Sequence, residues 1–136
     1  MKAVAQRTAG SFNHRIEIRG HQVTVDEQAE HGGADEGPTP QELLAASVAS
    51  CTAVTMEMYA NRKGWDIGQL EVECEYATPE RGSPTKFNVV LRLPDSCSEE
   101  QVEKLRAIAA KCPVHRALEG ESVFEERIEL VAPAQT

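Results

Sequence analysis

Residues Thr39–Gly64 read TPQELLAASVASCTAVTMEMYANRKG, and this stretch decides the fold. Thr39 suits an N-cap, Pro40 the first helical position, and Glu42 stands three residues after the cap. The start therefore carries a capping box with proline in its preferred place. No helix breaker follows until Gly64, which suits the residue beyond a helix end, behind Arg62 and Lys63 in the last turn. A helix over 40–63 runs roughly 36 Å at about 1.5 Å per residue. From Leu43 to Met56 the only polar side chains are Ser47, Ser50, Thr52 and Thr55, all small and uncharged. Such a helix is close to apolar all round and needs cover on most of its sides. A small sheet covers one side, and the chain offers few other apolar elements. The expectation is an intertwined homodimer in which a partner subunit covers another side. The alternative is a central helix covered wholly within one chain.

Strands are expected on both flanks. Arg15–Arg19 (RIEIR) and Gln22–Asp26 (QVTVD) alternate apolar and polar residues, as half-buried strands do, with a tight hairpin link at Gly20–His21. Lys2–Thr8 adds a further strand. Residues 30–39, with three glycines and a proline, form the loop before the long helix. After Gly64, Leu70, Val72, Cys74 and Tyr76 alternate with Glu71, Glu73 and Glu75, a strand with one wet acidic face. PERGSP is a turn, and Lys86–Leu93 returns antiparallel. Ser98 opens a second helix through another capping box, and Val102, Leu105, Ile108, Ala109 and Cys112 follow on one face. Pro113 breaks or restarts that helix, Gly120 ends the following turn, and Val123–Val131 reads as a last strand. The order βββ–α–ββ–α–β describes one α+β domain over residues 1–136.

Composition narrows the function. The 136 residues are 40 % apolar and 26 % charged, with a net charge of −8. The acidic balance argues against a nucleic-acid partner, which needs a basic face, and against an anionic membrane surface. MKAVAQRTAG lacks the apolar region of a signal peptide, and the weakly polar run Leu43–Met56 is too short for a bilayer, which needs about 20 residues. The expected compartment is the cytoplasm, where thiols stay mostly reduced.

Four cysteines remain to be assigned. Cys74 alternates in phase with apolar neighbours and reads as a small core residue. Cys97, in the loop PDSCS, reads as an incidental exposed thiol. Cys112 precedes Pro113, which makes it a candidate N-cap of a new helical turn; free N–H groups, Lys111, Arg116 and a protonated His115 would then favour its thiolate. Cys51 lies inside the Ala/Ser helix, where burial without a cation makes a thiol inert. Lowering a thiol from ~8.5 to about 6 takes roughly 3.4 kcal/mol, and one charge-assisted hydrogen bond supplies about 1.5–3 kcal/mol. An arginine with an orienting carboxylate is the least that suffices. Arg7, Arg15 and Arg19 are candidates for the arginine and Glu42 for the carboxylate, beside its capping role. Both cysteines also fit inert packing.

The segments GPTPQELLAASVASCTAV and KCPVHRAL resemble the OsmC/Ohr family of thiol-dependent peroxidases and redox proteins. The likeness lies in a Pro-Glu-Leu-like helix start, a cysteine within the Ala/Ser helix, and a downstream Cys-Pro. It implies an intertwined α+β homodimer with two interface sites, each holding Cys51 and Cys112. The implied chemistry is reduction of organic hydroperoxides, with Cys51 passing through a sulfenic acid and Cys112 closing a disulfide. The resemblance implies no cofactor; an external dithiol, typically a lipoylated protein, restores the pair. Gln41 stands where the peroxidase branches carry a glutamate, with Glu42 one residue later, which places the chain in the broader OsmC-like group. A redox-sensing or small-molecule-binding protein using the same pocket is the competing reading. Neither CxxC nor HxxxH spacing supports a zinc site, and GGADEGP matches no phosphate loop.

Overall fold

The computed structural model describes every residue except 9, 11, 78 and 134–136. Three antiparallel strands, β1 (Val4–Arg7), β2 (His14–Ile18) and β3 (His21–Val25), form a meander in the order β1-β2-β3. The 24-residue helix α1 (Pro40–Lys63) follows, then the hairpin β4 (Glu71–Tyr76) and β5 (Phe87–Arg92), then α2 (Glu99–Ala109) and α3 (Pro113–Glu119). The α+β class and the order through the second helix match the sequence reading.

Local chemistry sets the boundaries. The link between β2 and β3 is Arg19–Gly20, one residue earlier than the sequence pattern placed it, and Ile18 pairs with His21. Arg19 (φ 48°) and Gly20 (φ 82°) are both left-handed, the two-residue turn whose twist matches paired strands. α1 starts as expected: Thr39 N donates to Glu42 Oε1 (2.9 Å) and Glu42 N donates to Thr39 Oγ1 (3.1 Å). Gly64 closes it at φ 70°. Ser98 and Gln101 build the same box at the start of α2.

The core sits where α1 meets α2 and the second hairpin. Met56, Ala60, Ile67, Leu105 and Ala109 form its buried centre, with Tyr59, Trp65, Val72 and Leu91 packed around it. Burying a residue such as Leu105, which has no exposed surface, contributes about 1.5–3 kcal/mol. β4 alternates as expected, with Val72, Cys74 and Tyr76 half-buried and the three glutamates exposed.

Within its own chain α1 is buried along one side only, at Val48, Thr52, Met56 and Ala60. They form one i, i+4 stripe against β4, α2 and α3, while Val54 and Met58 stand exposed. Over its whole length α1, unlike the Leu43–Met56 run alone, is long and apolar enough to cross a membrane by length and composition, a test that the core helix of a soluble protein also passes. One expectation is corrected: Val123–Val131 was expected as a last strand, but residues 121–133 form no strand. Val123, Phe124, Ile128, Leu130 and Val131 are 83–95 % exposed. Alternation gives a segment the capacity to pair, but a strand exists only beside a hydrogen-bonding neighbour.

The loop leading into α1 is fixed by Asp26 at the end of β3, which is buried. The Glu27 N–H, 2.7 Å from Oδ1, does most to hold its carboxyl below the usual carboxylate range. Burial opposes this, and the amides of Glu36 (3.2 Å) and Ala34 (3.3 Å) and the Asn13 side chain add to the lowering. Gly37 is required close by, because a Cβ there would overlap the Thr24 carbonyl oxygen. A carboxyl lowered on folding stabilises the fold above its ordinary value of 3.8, and that contribution is lost as pH falls through the folded value. Asp26→Asn is therefore expected to lower stability at neutral pH, with the gap to the parent narrowing as pH falls below 3.8. Urea unfolding across a pH series checks this; a gap independent of pH would show that the charge plays no part.

Candidate active site

α1 and α3 place the two cysteines singled out in the sequence. Pro113 occupies the first turn of α3, and Cys112 is the N-cap, with extended backbone (φ −64°, ψ 143°). Its side chain takes the capping role usually filled by an oxygen: His115 N donates to Cys112 Sγ at 3.2 Å. Cys112 has no exposed surface. Its sulfur also lies 3.8 Å from Thr52 Oγ1 on the buried stripe of α1. The residue before Thr52 is Cys51, half-buried and a free thiol. Successive residues turn about 100° around a helix, so Cys51 leaves α1 to one side of the line along which Cys112 approaches.

The ring of His115 braces this corner. Nδ1 lies 2.7 Å from the Ala110 carbonyl oxygen and Nε2 lies 3.0 Å from Glu119 Oε1. The ring thus ties the residues before Cys112 to the far end of α3. A cleft of about 730 Å³ opens alongside, walled by Leu44, Val48, Phe87, Val89 and Leu91, with Thr52, Thr85, Arg106, His115 and Glu119 as its polar groups.

The other predicted participants are not gathered here within one chain. Glu42 is in the first turn of α1, occupied by the capping box. Nine residues separate it from Cys51, about 13 Å along a helix axis. Arg7 donates to the Gly10 carbonyl and Arg15 to Gln6. Among the described residues no guanidinium hydrogen-bonds Cys51. Burial pushes the pKa of the Cys74 thiol up. Cys97, expected to be exposed, is half-buried against the core, since the loop before α2 folds back onto it. Among the described residues no cluster of three or more His, Cys, Asp or Glu side chains is arranged to hold a metal ion.

Sequence reasoning missed Thr52. The signal was present, since Val48, Thr52 and Met56 recur at i, i+4 with the hydroxyl in the middle. Among neighbouring Ser and Thr residues, nothing in the pattern distinguished that hydroxyl from the rest.

The family profile for OsmC-like protein matches residues 31–127, a span that includes both cysteines and the whole of α1. The chain belongs to the OsmC-like family. Solved structures agree on the fold. An OsmC like protein from Mycoplasma pneumoniae superposes with a TM-score of 0.74 at 21 % identity, over 88 % of this chain and 86 % of that one. The organic hydroperoxide resistance protein OsmC from Legionella pneumophila gives 0.63 at 25 % identity, over 88 % of each chain. The organic hydroperoxide resistance protein OhrB of Bacillus subtilis gives 0.59 at 22 % identity, over 88 % of this chain and 90 % of that one. No curated protein matches this OsmC-like chain.

The capping role of Glu42 separates from any role of its charge. Thr39→Ala removes the N-cap and is expected to cost about 0.5–2 kcal/mol of stability. Glu42→Gln keeps a capping-box side chain and is expected to stay within about 0.5 kcal/mol of the parent. Denaturant midpoints of the two variants decide this, and a Glu42→Gln loss as large as that of Thr39→Ala would show that the charge itself stabilises the fold.

Proposed function

We propose that this OsmC-like protein is a cysteine-based peroxidase reducing organic or fatty hydroperoxides, and that it works as a homodimer. The observation that carries the reading is the seating of Cys112, as the N-cap of α3, against α1 at the residue next to Cys51. The family, and neighbours that include organic hydroperoxide resistance proteins, support it.

In this reading the Cys51 thiolate attacks the distal peroxide oxygen. The O–O bond breaks, the alcohol leaves with a proton, and Cys51 becomes a sulfenic acid. The Cys112 sulfur then attacks the Cys51 sulfur. An S–S bond forms, and the hydroxyl of the sulfenic acid leaves as water with the Cys112 proton. An external thiol or lipoylated protein returns both cysteines to thiols by exchange. Within one chain Glu42 caps α1 away from Cys51, so its orienting role toward a cation drawn from Arg7, Arg15 or Arg19 that favours the Cys51 thiolate rests on the second subunit. The chemistry needs no metal, cofactor, nucleic acid or membrane partner, and it suits the reducing cytoplasm.

Two features support the dimer. The outward face of α1, with Val54 and Met58, and the apolar side chains of residues 123–131 are exposed. Exposed large apolar side chains in such number are what a partner surface would cover. A second subunit is also the natural source of the cation that Cys51 lacks within one chain. That same lack, together with Gln41 at the helix start, is what favours the redox-sensing or ligand-binding alternative.

Cys51→Ser is expected to abolish hydroperoxide consumption in the presence of a dithiol. Cys112→Ser should leave a single turnover and an accumulating sulfenic acid. Mass spectrometry after one equivalent of cumene hydroperoxide should find a Cys51–Cys112 disulfide in the parent. Unchanged consumption by Cys51→Ser ends the peroxidase reading, and stoichiometric oxidation without turnover favours the sensor. For the assembly, sedimentation equilibrium should give twice the 14.9 kDa chain mass, and Val54→Asp with Met58→Asp should shift it toward monomer. A parent that sediments as a monomer removes the dimer.

A further inference from the structure

Thr52 is 4 % exposed, and hydrogen counting at its side chain has a chemical consequence. Its Oγ1 lies 2.7 Å from the Val48 carbonyl oxygen and 3.8 Å from Cys112 Sγ. A hydroxyl has one proton to give, and a carbonyl oxygen can only accept. The proton of Thr52 therefore goes to Val48, and the contact with Cys112 has one remaining sense: the S–H of Cys112 donates to Thr52 Oγ1. On its other side the sulfur accepts the His115 N–H at 3.2 Å. Both hydrogen-bonding capacities of the thiol are thus taken, one by a side chain of α1 and one by the backbone of α3.

The direction of that S–H matters because Cys51 projects from α1 about 100° around from Thr52. A proton aimed at Thr52 is not aimed at the Cys51 sulfur. We propose that Thr52 is a positioning residue that holds Cys112 in the reduced protein as a parked thiol, its proton turned onto the Thr52 hydroxyl and its sulfur kept off Cys51 until that contact breaks.

The consequence for catalysis rests on the peroxidase reading. Resolution forms the S–S bond between Cys112 and the sulfenic acid at Cys51 and releases water, so the Cys112 proton must first leave Thr52. Thr52 then sets how long the sulfenic acid waits. The parking itself is a property of the reduced protein and involves no peroxide.

The test uses the reduced full-length protein. The infrared S–H stretching band of Cys112 is identified by its loss in Cys112→Ala. In the parent it is expected at the lowered frequency of a hydrogen-bonded thiol. It should rise toward the free-thiol frequency in Thr52→Val, which keeps shape and removes the acceptor, and return in Thr52→Ser. Iodoacetamide labelling of Cys112, followed by peptide mass spectrometry, should speed up about two- to five-fold in Thr52→Val and stay parent-like in Thr52→Ser, the size of effect that a weak S–H···O bond provides. Thr52→Ala gives the same comparison if the valine variant does not fold. A parent band already at the free-thiol frequency overturns the proposal without any variant. So does labelling that rises equally in the serine and valine proteins with no change of band, which would mark simple loosening. Band and labelling responses in a protein that consumes no hydroperoxide would uphold the Thr52 contact and remove only the peroxidase reading.

Discussion

The arrangement depends on one constraint: α1 is close to apolar all round, yet this chain covers it along only one stripe. Val48, Thr52, Met56 and Ala60 are that stripe, and Met56 and Ala60 belong to the main core cluster. Met56 and Ala60 meet Leu105 and Ala109 of α2 in the core. Thr52, one turn toward the N-terminus, meets Cys112 instead. The stripe is therefore divided by function, with the C-terminal half holding the molecule together and the middle holding the sulfur. A change at Met56 acts on stability, whereas a change at Thr52 acts on the thiol.

The second helical region explains how a buried sulfur acquires polar partners. A continuous helix through Cys112 would have sent each backbone N–H to the carbonyl four residues back. Pro113 cannot continue such a ladder, so the chain restarts, and the first turn of α3 presents amides with no helical acceptor. The thiol of Cys112 takes the place of a capping hydroxyl and receives one of them, from His115. The His115 ring then fastens the break from both sides, to Ala110 before it and Glu119 after it. One proline therefore fixes both where α2 stops and which atoms face the sulfur.

Most of the architecture was legible in the residues, because it is written in local chemistry. The capping boxes at Thr39 and Ser98, the αL glycine at 64, the alternation over Glu71–Tyr76 and the Cys-Pro break each act within a few residues. Apart from the hairpin link, the errors have a common origin in partners distant along the chain or outside it. The hairpin link moved by one residue because turn twist outweighed the choice of Gly20 as its first position. Cys97 is packed rather than exposed because its loop folds back onto the α2 core, which no window around PDSCS reveals. The last strand did not form because, among the described residues, 121–133 pair with no neighbouring strand. Thr52 stayed hidden for the same reason: its role is defined by a sulfur 60 residues away.

The roles proposed for the two thiols follow from access as much as from motif. Cys51 is half-buried and, among the described residues, bound by no side chain, so an incoming peroxide oxygen meets a sulfur with its lone pairs free. Cys112 is fully buried, its proton committed to Thr52 and its sulfur to the His115 amide. For Cys112 to attack a peroxide first, it would have to give up both hydrogen bonds and its burial before any bond was made in return. For it to attack second, the sulfenic acid already stands on the adjacent position of α1, and the new S–S bond offsets the two hydrogen bonds that the thiol surrenders. The order of events in the proposed cycle is thus built into which thiol is already satisfied. A chain with the two environments exchanged would keep the same motif and lose that order.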